Sequence, residues 1–124
     1  MFIKRTLGIA MLTASLVSPA TAHHGWSWAE QEQTQLSGTI TNVQMAPPHP
    51  SLDVEAEDGT WRVELGNPRN TAKAGFDENA ASPGDSITAV GNRSQDKSEK
   101  RMKAVRVTIE GKTYDIYPER IEKQ

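Results

Sequence analysis

Alternation of apolar and polar residues on both sides of a single two-residue turn constrains this chain more than any other feature. Leu52, Val54 and Ala56 alternate with Asp53, Glu55 and Glu57, Asp58-Gly59 follows, and Trp61, Val63 and Leu65 alternate beyond it. Successive side chains of a strand point to opposite faces, so each half has one face to bury, and Asp-Gly tolerates the positive φ of a tight turn. A hairpin is predicted here. Upstream, Leu36, Gly38 and Ile40 alternate with Ser37, Thr39 and Thr41, whereas Val43 and Met45 change parity after Asn42. That switch predicts a bulge near Asn42.

The segment Ala46-Pro47-Pro48-His49-Pro50 cannot continue a sheet, because proline removes ladder donors and restricts the residue before it. A rigid extended loop is expected there. Asn67 can cap a helix that starts at Pro68, contains Ala72 and Ala74, and stops at Gly75. Pro83-Gly84-Asp85 turns into a strand over residues 86–91, and a polar loop leads to a strand in which Val105, Val107 and Ile109 alternate. Glu110-Gly111-Lys112 turns into a short last strand, after which the tail from Pro118 is expected to fray. The order predicts a mainly β domain: a small five- to six-stranded Greek-key barrel of the OB type, with one short helix after the third strand. A length of 124 residues leaves room for one such core.

The start of the chain reads as an export signal. Lys4 and Arg5 precede the apolar run 7–17, and Ala20-Thr21-Ala22 offers small residues where a signal peptidase reads them. The run falls well short of the roughly 20 residues that cross a bilayer, so no membrane span is expected in the mature protein. Residues 1–22 are thus read as a cleaved signal peptide, 23–34 as an amino-terminal arm, 35–117 as the barrel and 118–124 as a tail. A periplasmic or secreted location follows. The chain has no cysteine, which rules out a lipid anchor, disulfide support and thiol chemistry, and leaves the core alone to hold the fold. A net charge of −2 gives no broad basic field for nucleic acid.

Three histidines carry the functional signal. Cleavage after Ala22 would give His23 both a free α-amine and an imidazole, which together can chelate a metal; the amine, with a pKa near 8, loses its proton at small cost. His24 or His49 would add imidazole nitrogen, making an all-nitrogen set that suits copper, the strongest binder of the divalent series. The arrangement is similar to the histidine brace of exported copper proteins. Cleavage after Ala20 would instead place His23 third, a pattern of amino-terminal copper and nickel motifs. The metal reading therefore assigns His23, His24 and His49 to a copper ion, for buffering, delivery or sensing. Against it stands a plainer one, in which two histidines keep the arm soluble and His49 hydrogen-bonds within its loop.

The remaining features have structural explanations. Met45 and Met102 could give thioether contacts to copper but lie in strand patterns, as core residues do. Asp53, Glu55 and Glu57 share a face at alternate positions, as a solvated sheet surface requires. Lys97, Lys100, Arg101 and Lys103 read as a solvated hairpin tip. Trp26 and Trp28 either cover a metal or anchor the arm, Trp61 reads as a core residue of the hairpin, and a barrel face with Trp61 and Tyr114 nearby carries a second reading, an OB-type module for a small molecule, a glycan or a protein. An envelope protein partner would fit a third, structural role. No serine elbow, phosphate loop, metalloprotease helix or catalytic carboxylate pair occurs, so no enzyme is expected.

Ala22-His23-His24, Leu36-Ser37-Gly38-Thr39-Ile40, Pro48-His49, Asp58-Gly59 before Trp61, and Pro83-Gly84-Asp85 occur in that order. In this the chain resembles a large uncharacterised family of small exported bacterial proteins, catalogued as a domain of unknown function. The resemblance implies that His23, His24 and His49 form a linked set, and it brings no established activity. Pro47 stands where that family usually has asparagine, and Gly25-Trp26 replaces its commoner Ser-Phe.

Overall fold

The computed structural model describes residues 25–121. The expected signal peptide, His23, His24 and residues 122–124 lie outside the described residues.

Strand β1 (Thr34–Gln44) serves two neighbours in succession. Its first half pairs antiparallel with β4 (Ser86–Arg93), from Thr34↔Gly91 to Thr39↔Ser86, and its second half pairs with β2 (Ser51–Ala56), from Thr39↔Glu55 to Gln44↔Ser51. The register shifts between Ile40 and Asn42, which is the bulge expected at Asn42. A strand that crosses between two neighbours must coil sharply, and Gly38 sits at that crossing. A Cβ there would lie 2.3 Å from the Glu55 carbonyl oxygen.

Strand β2 turns at Asp58-Gly59 into β3 (Gly59–Glu64), with Val54 opposite Trp61 and Leu52 opposite Val63. The chain then forms α1 (Pro68–Lys73), in which Asn67 Oδ1 accepts the Asn70 N–H at 2.8 Å and Pro68 occupies the first turn. The helix is one residue shorter than its pattern suggested, Ala74 being the cap before Gly75. Its buried residue is Thr71, whose hydroxyl donates to the Gly66 carbonyl at 3.0 Å. Phe76, just beyond, meets Tyr114 edge to face at 5.3 Å and closes one end of the core.

Closure comes from β5 (Arg101–Ile109). It runs antiparallel to β4 and parallel to β3 through Arg62↔Arg101, Val63↔Met102 and Glu64↔Lys103. The ring β1-β2-β3-β5-β4 is thereby complete, with β6 (Lys112–Asp115) added on β5 outside it. This is the expected Greek-key barrel of OB type, with the helix after the third strand. The inward row from Ile40, Leu52, Val54, Trp61, Val63, Met102, Val107 and Ile109 is buried throughout. Where β4 and β5 lose register between Val90 and Gly91, Val105 is the residue passed over, so β5 changes parity there. Met102 and Ala104 point inward and Lys103 outward.

The tail departs from expectation. Pro118–Arg120 forms a 3-10 turn instead of fraying, and the Arg120 carbonyl accepts the Gln33 amide at 2.6 Å. Among the described residues no helix is long and apolar enough to cross a membrane.

Gly38→Ala forces a methyl into a backbone oxygen that no side-chain rotation can move. Its expected cost is about 3 kcal/mol, seen in thermal denaturation as a melting temperature lowered by more than about 10 °C.

Candidate functional site

The arm is built to lie on the barrel. Residues 25–28 form a turn in which the Ala29 N–H donates to the Trp26 carbonyl at 3.0 Å, and Ala29 bridges to Ser94 beyond the end of β4. Side-chain amides hold the following backbone. Gln95 Nε2 donates to the Ser27 and Ala29 carbonyls at 3.1 and 3.0 Å, and Asn92 Nδ2 to those of Glu30 and Gln31 at 2.9 and 3.1 Å. The Gln95 N–H also donates to the Trp28 carbonyl at 2.9 Å, and Lys97 pairs with Glu30.

The two arm tryptophans meet cations. Arg101 lies over the Trp28 ring with its Cζ 3.6 Å from the centroid, while Arg120 lies 3.8 Å from that of Trp26. Trp26 also meets the Tyr117 ring edge to face at 5.0 Å. Such stacks stabilise by about 0.5 to 2 kcal/mol according to desolvation. Of the two roles open to these tryptophans, the contacts are those of anchors.

Beneath Trp26 lies Lys103, only 1% exposed, with its Nζ 5.4 Å from the Trp26 centroid and 5.8 Å from that of Tyr117. This overturns the expectation of a solvated basic run, since Lys103 is buried and Arg101 is bound on two sides. The cause is tertiary. Lys103 points outward from the barrel, but the arm covers that part of the outer face. Burial pushes its ammonium below the ordinary value of 10.5; Glu64 opposes this, and the charges of Arg101 and Arg120 add to it. Gly25, with φ +84°, adopts a conformation that suits glycine, and a Cβ there would make an ordinary contact at 3.4 Å with Lys103 Nζ.

His49 is half-buried in the loop between β1 and β2. With Gln44, Pro47, Ser51, Arg62, Glu64 and Arg101 it lines a cleft of about 260 Å³. Arg101 bonds Glu64 in this cleft through Nε and Nη2, each 2.7 Å from Oε2. The same guanidinium thus touches both the arm and the His49 cleft. One cross-strand row links them as well: Ser51 pairs with Glu64 and Glu64 with Lys103, against which Gly25 lies.

Of the predicted ligands, His49 alone is among the described residues, and among those residues no three His, Asp or Glu side chains gather as a metal set would. Met102 is sealed in the core and Met45 packs against it. Asp53 faces Arg62 at 3.8 Å, Glu55 accepts the Thr60 hydroxyl at 2.8 Å and Glu57 is exposed, as on a solvated face. Trp61 and Tyr114 are each only 4% exposed. They offer no open aromatic face; the Trp61 indole instead donates to Asp58 at 2.8 Å and holds that carboxyl below its usual range. Asn92, Gln95 and Arg101 went unforeseen as arm contacts because their partners lie more than sixty residues away. The only local hint for Lys103 is its place among Met102, Ala104 and Val105.

Lys103 gives a pH test. Its folded pKa is lowered, so below that value the buried cation costs stability. Between it and the unfolded value the unfolded chain alone holds the proton, and stability rises with pH. Lys103→Met is therefore expected to melt higher than the wild type near neutral pH, with the difference shrinking as the pH approaches 10.5, checked by thermal denaturation of both proteins across that range.

No curated protein matches this sequence. Solved structures match in fold. A chain of the S. pombe Stn1-Ten1 complex is 18% identical with a TM-score of 0.52 over 62% of this chain and 57% of its own. The ZRD-deleted mutant of TiaS in complex with agmatine is 13% identical with a TM-score of 0.51 over 68% of this chain and 26% of its own. This protein therefore spans less than two thirds of either chain, and the likeness, with the barrel order above, establishes an OB-like fold. Residues 11–103 match the family model DUF6152, a family of unknown function, and the chain belongs to that family.

Proposed function

We propose that this is a small exported metal-binding protein without catalytic activity, in which copper is held by His23, His24 and His49. Maturation after Ala22 would supply the α-amine of His23. The observation that carries the reading is the course of the arm. Gly25 lies against Lys103, which is paired through Glu64 to Ser51, two residues from His49. That row puts the start of the described arm and the loop that carries His49 along one outer face of the barrel, and His23 and His24 directly precede Gly25 in the sequence.

The donor set suits a borderline metal. Amine and imidazole nitrogens bind Cu(II) strongly, and no thiolate competes for them. A half-buried His49 between prolines loses little freedom on binding. The roles that fit are buffering, delivery or sensing in the periplasm or outside the cell. An OB-type module for a small molecule, a glycan or an envelope protein has weaker support, because Trp61 and Tyr114 are buried.

Titration of the mature protein, beginning at His23, with Cu(II) is expected to give one tight site per chain. Loss of a supporting contact around a metal ligand commonly weakens binding 10- to 100-fold, so removal of a ligand in His49→Ala should weaken it by at least about 100-fold. One extra residue before His23 should do the same by converting the amine to an amide. Equal affinity in all three proteins would refute the assignment.

A further inference from the structure

We propose that the cleft between the arm, the end of β4 and the tail turn binds a small hydroxylated carboxylate, a sugar acid in chemical class, with its carboxylate on the Arg120 guanidinium. The inference goes beyond the copper reading and uses none of its residues.

The two arm tryptophans carry the same contact, and one of the two is incomplete. Arg101 lies over Trp28 at 3.6 Å, and its nitrogens bond the Glu64 carboxylate at 2.7 Å. Arg120 lies over Trp26 at 3.8 Å, but among the described residues its guanidinium has no hydrogen bond or ion pair. Its main chain is fixed all the same, the N–H donating to the Tyr117 carbonyl at 2.9 Å and the carbonyl accepting the Gln33 amide. A guanidinium held by its backbone and by one ring keeps its nitrogen edge for a planar acceptor that takes two parallel bonds. At Trp28 that acceptor is Glu64. At Trp26 the carboxylate of a ligand would complete the set.

Charge and volume agree with this. Lys103 Nζ lies 5.4 Å from the Trp26 centroid and likewise has no ion pair among the described residues, so two cations share one indole without a carboxylate in contact. The one carboxylate in the cleft lining, Glu30, is bonded to Lys97. A net anion is therefore favoured over a zwitterion. The cleft measures about 450 Å³, a size usual for small-molecule sites. Elsewhere its lining accepts hydrogen bonds. Gln95 Nε2 and Asn92 Nδ2 are spent on arm carbonyls, which leaves their amide oxygens. Asn92 is only 6% exposed, and its Oδ1 has no donor among the described residues. Folded proteins rarely leave a buried acceptor unmet. Hydroxyl groups suit such acceptors, whereas an inorganic anion or a plain fatty acid would serve Arg120 alone.

The test titrates the mature protein, without copper, with D-glucuronate, D-glucose, acetate and sulfate, followed by NMR at the Trp26 indole, the Arg120 Nε–H and the Lys103 ammonium. D-Glucuronate is expected to bind one to one with a Kd of about 1 mM or below, at least about 10-fold more tightly than acetate or sulfate, and D-glucose not to saturate. The charge of Arg120 helps to push the Lys103 ammonium below its ordinary value, so a carboxylate on Arg120 should raise the Lys103 pKa. Arg120→Gln is expected to bind D-glucuronate about 10- to 100-fold more weakly, and Arg120→Lys, which keeps a cation over the ring but not the fork, should fall between. Gln95 N–H bonds the Trp28 carbonyl, so its exchange protection reports that the arm is still docked. If Arg120→Gln loses that protection, Arg120→Lys and the Lys103 shift in the wild type decide. Failure of D-glucuronate to saturate would overturn the proposal, and acetate, sulfate or D-glucose binding as tightly would overturn the ligand class. Equal affinity in the docked variants, or a Lys103 pKa that does not rise on binding, would overturn the place of Arg120 in the site.

Discussion

Three residue pairs between the parallel strands β3 and β5 hold the rest of this architecture in place. Without Arg62↔Arg101, Val63↔Met102 and Glu64↔Lys103 the sheet would be open, in the order β3-β2-β1-β4-β5-β6, with β3 and β5 separated by three strands. Closure buries Val63 and Met102 on the inside. On the outside it sets Glu64 beside Arg101 and Lys103, carboxylate and cations from segments almost forty positions apart. Arg101 and Glu64 of this outer row line the cleft with His49, and Arg101 also meets Trp28 of the arm.

Covering the outer face has a cost and a consequence. Lys103 is deprived of water by Trp26 and Tyr117 and carries a depressed pKa. An apolar residue there would pack with less penalty. What the arrangement gains is a charged floor on which aromatic side chains can rest. Trp28 on Arg101 and Trp26 on Arg120 are separate instances of the same contact, one at the barrel wall and one at the tail. The carboxy-terminal turn is ordered by the same arm that it helps to order.

The proposed copper site is consistent with this division of labour. The barrel supplies rigidity; in the proposed site the proline-stiffened loop would supply the His49 imidazole, and cleavage after Ala22 would give the arm its amine donor. An OB-like barrel often binds ligands over β2 and β3. Here that surface displays Asp53, Glu55, Thr60 and Arg62, with no open aromatic, and the arm lies beside it. Fold similarity alone does not assign a ligand, and the chemistry of this chain's own histidines is the more specific guide.

Features governed by neighbours in the chain were legible from residue order. Strand alternation, the Asp58-Gly59 turn, the bulge at Asn42 and the Asn67 cap depend on side-chain parity, φ preference and hydrogen bonds spanning a few residues. The placement of a helix after the third strand was enough to suggest the barrel. Tertiary structure decided the rest. Whether Lys103 meets water, whether Tyr114 is exposed, whether Pro118–Arg120 forms a turn and which amides grip the arm all depend on what closure brings alongside. Burial and long-range pairing belong to surfaces that do not exist until the strands have met, so no local pattern of residues records them.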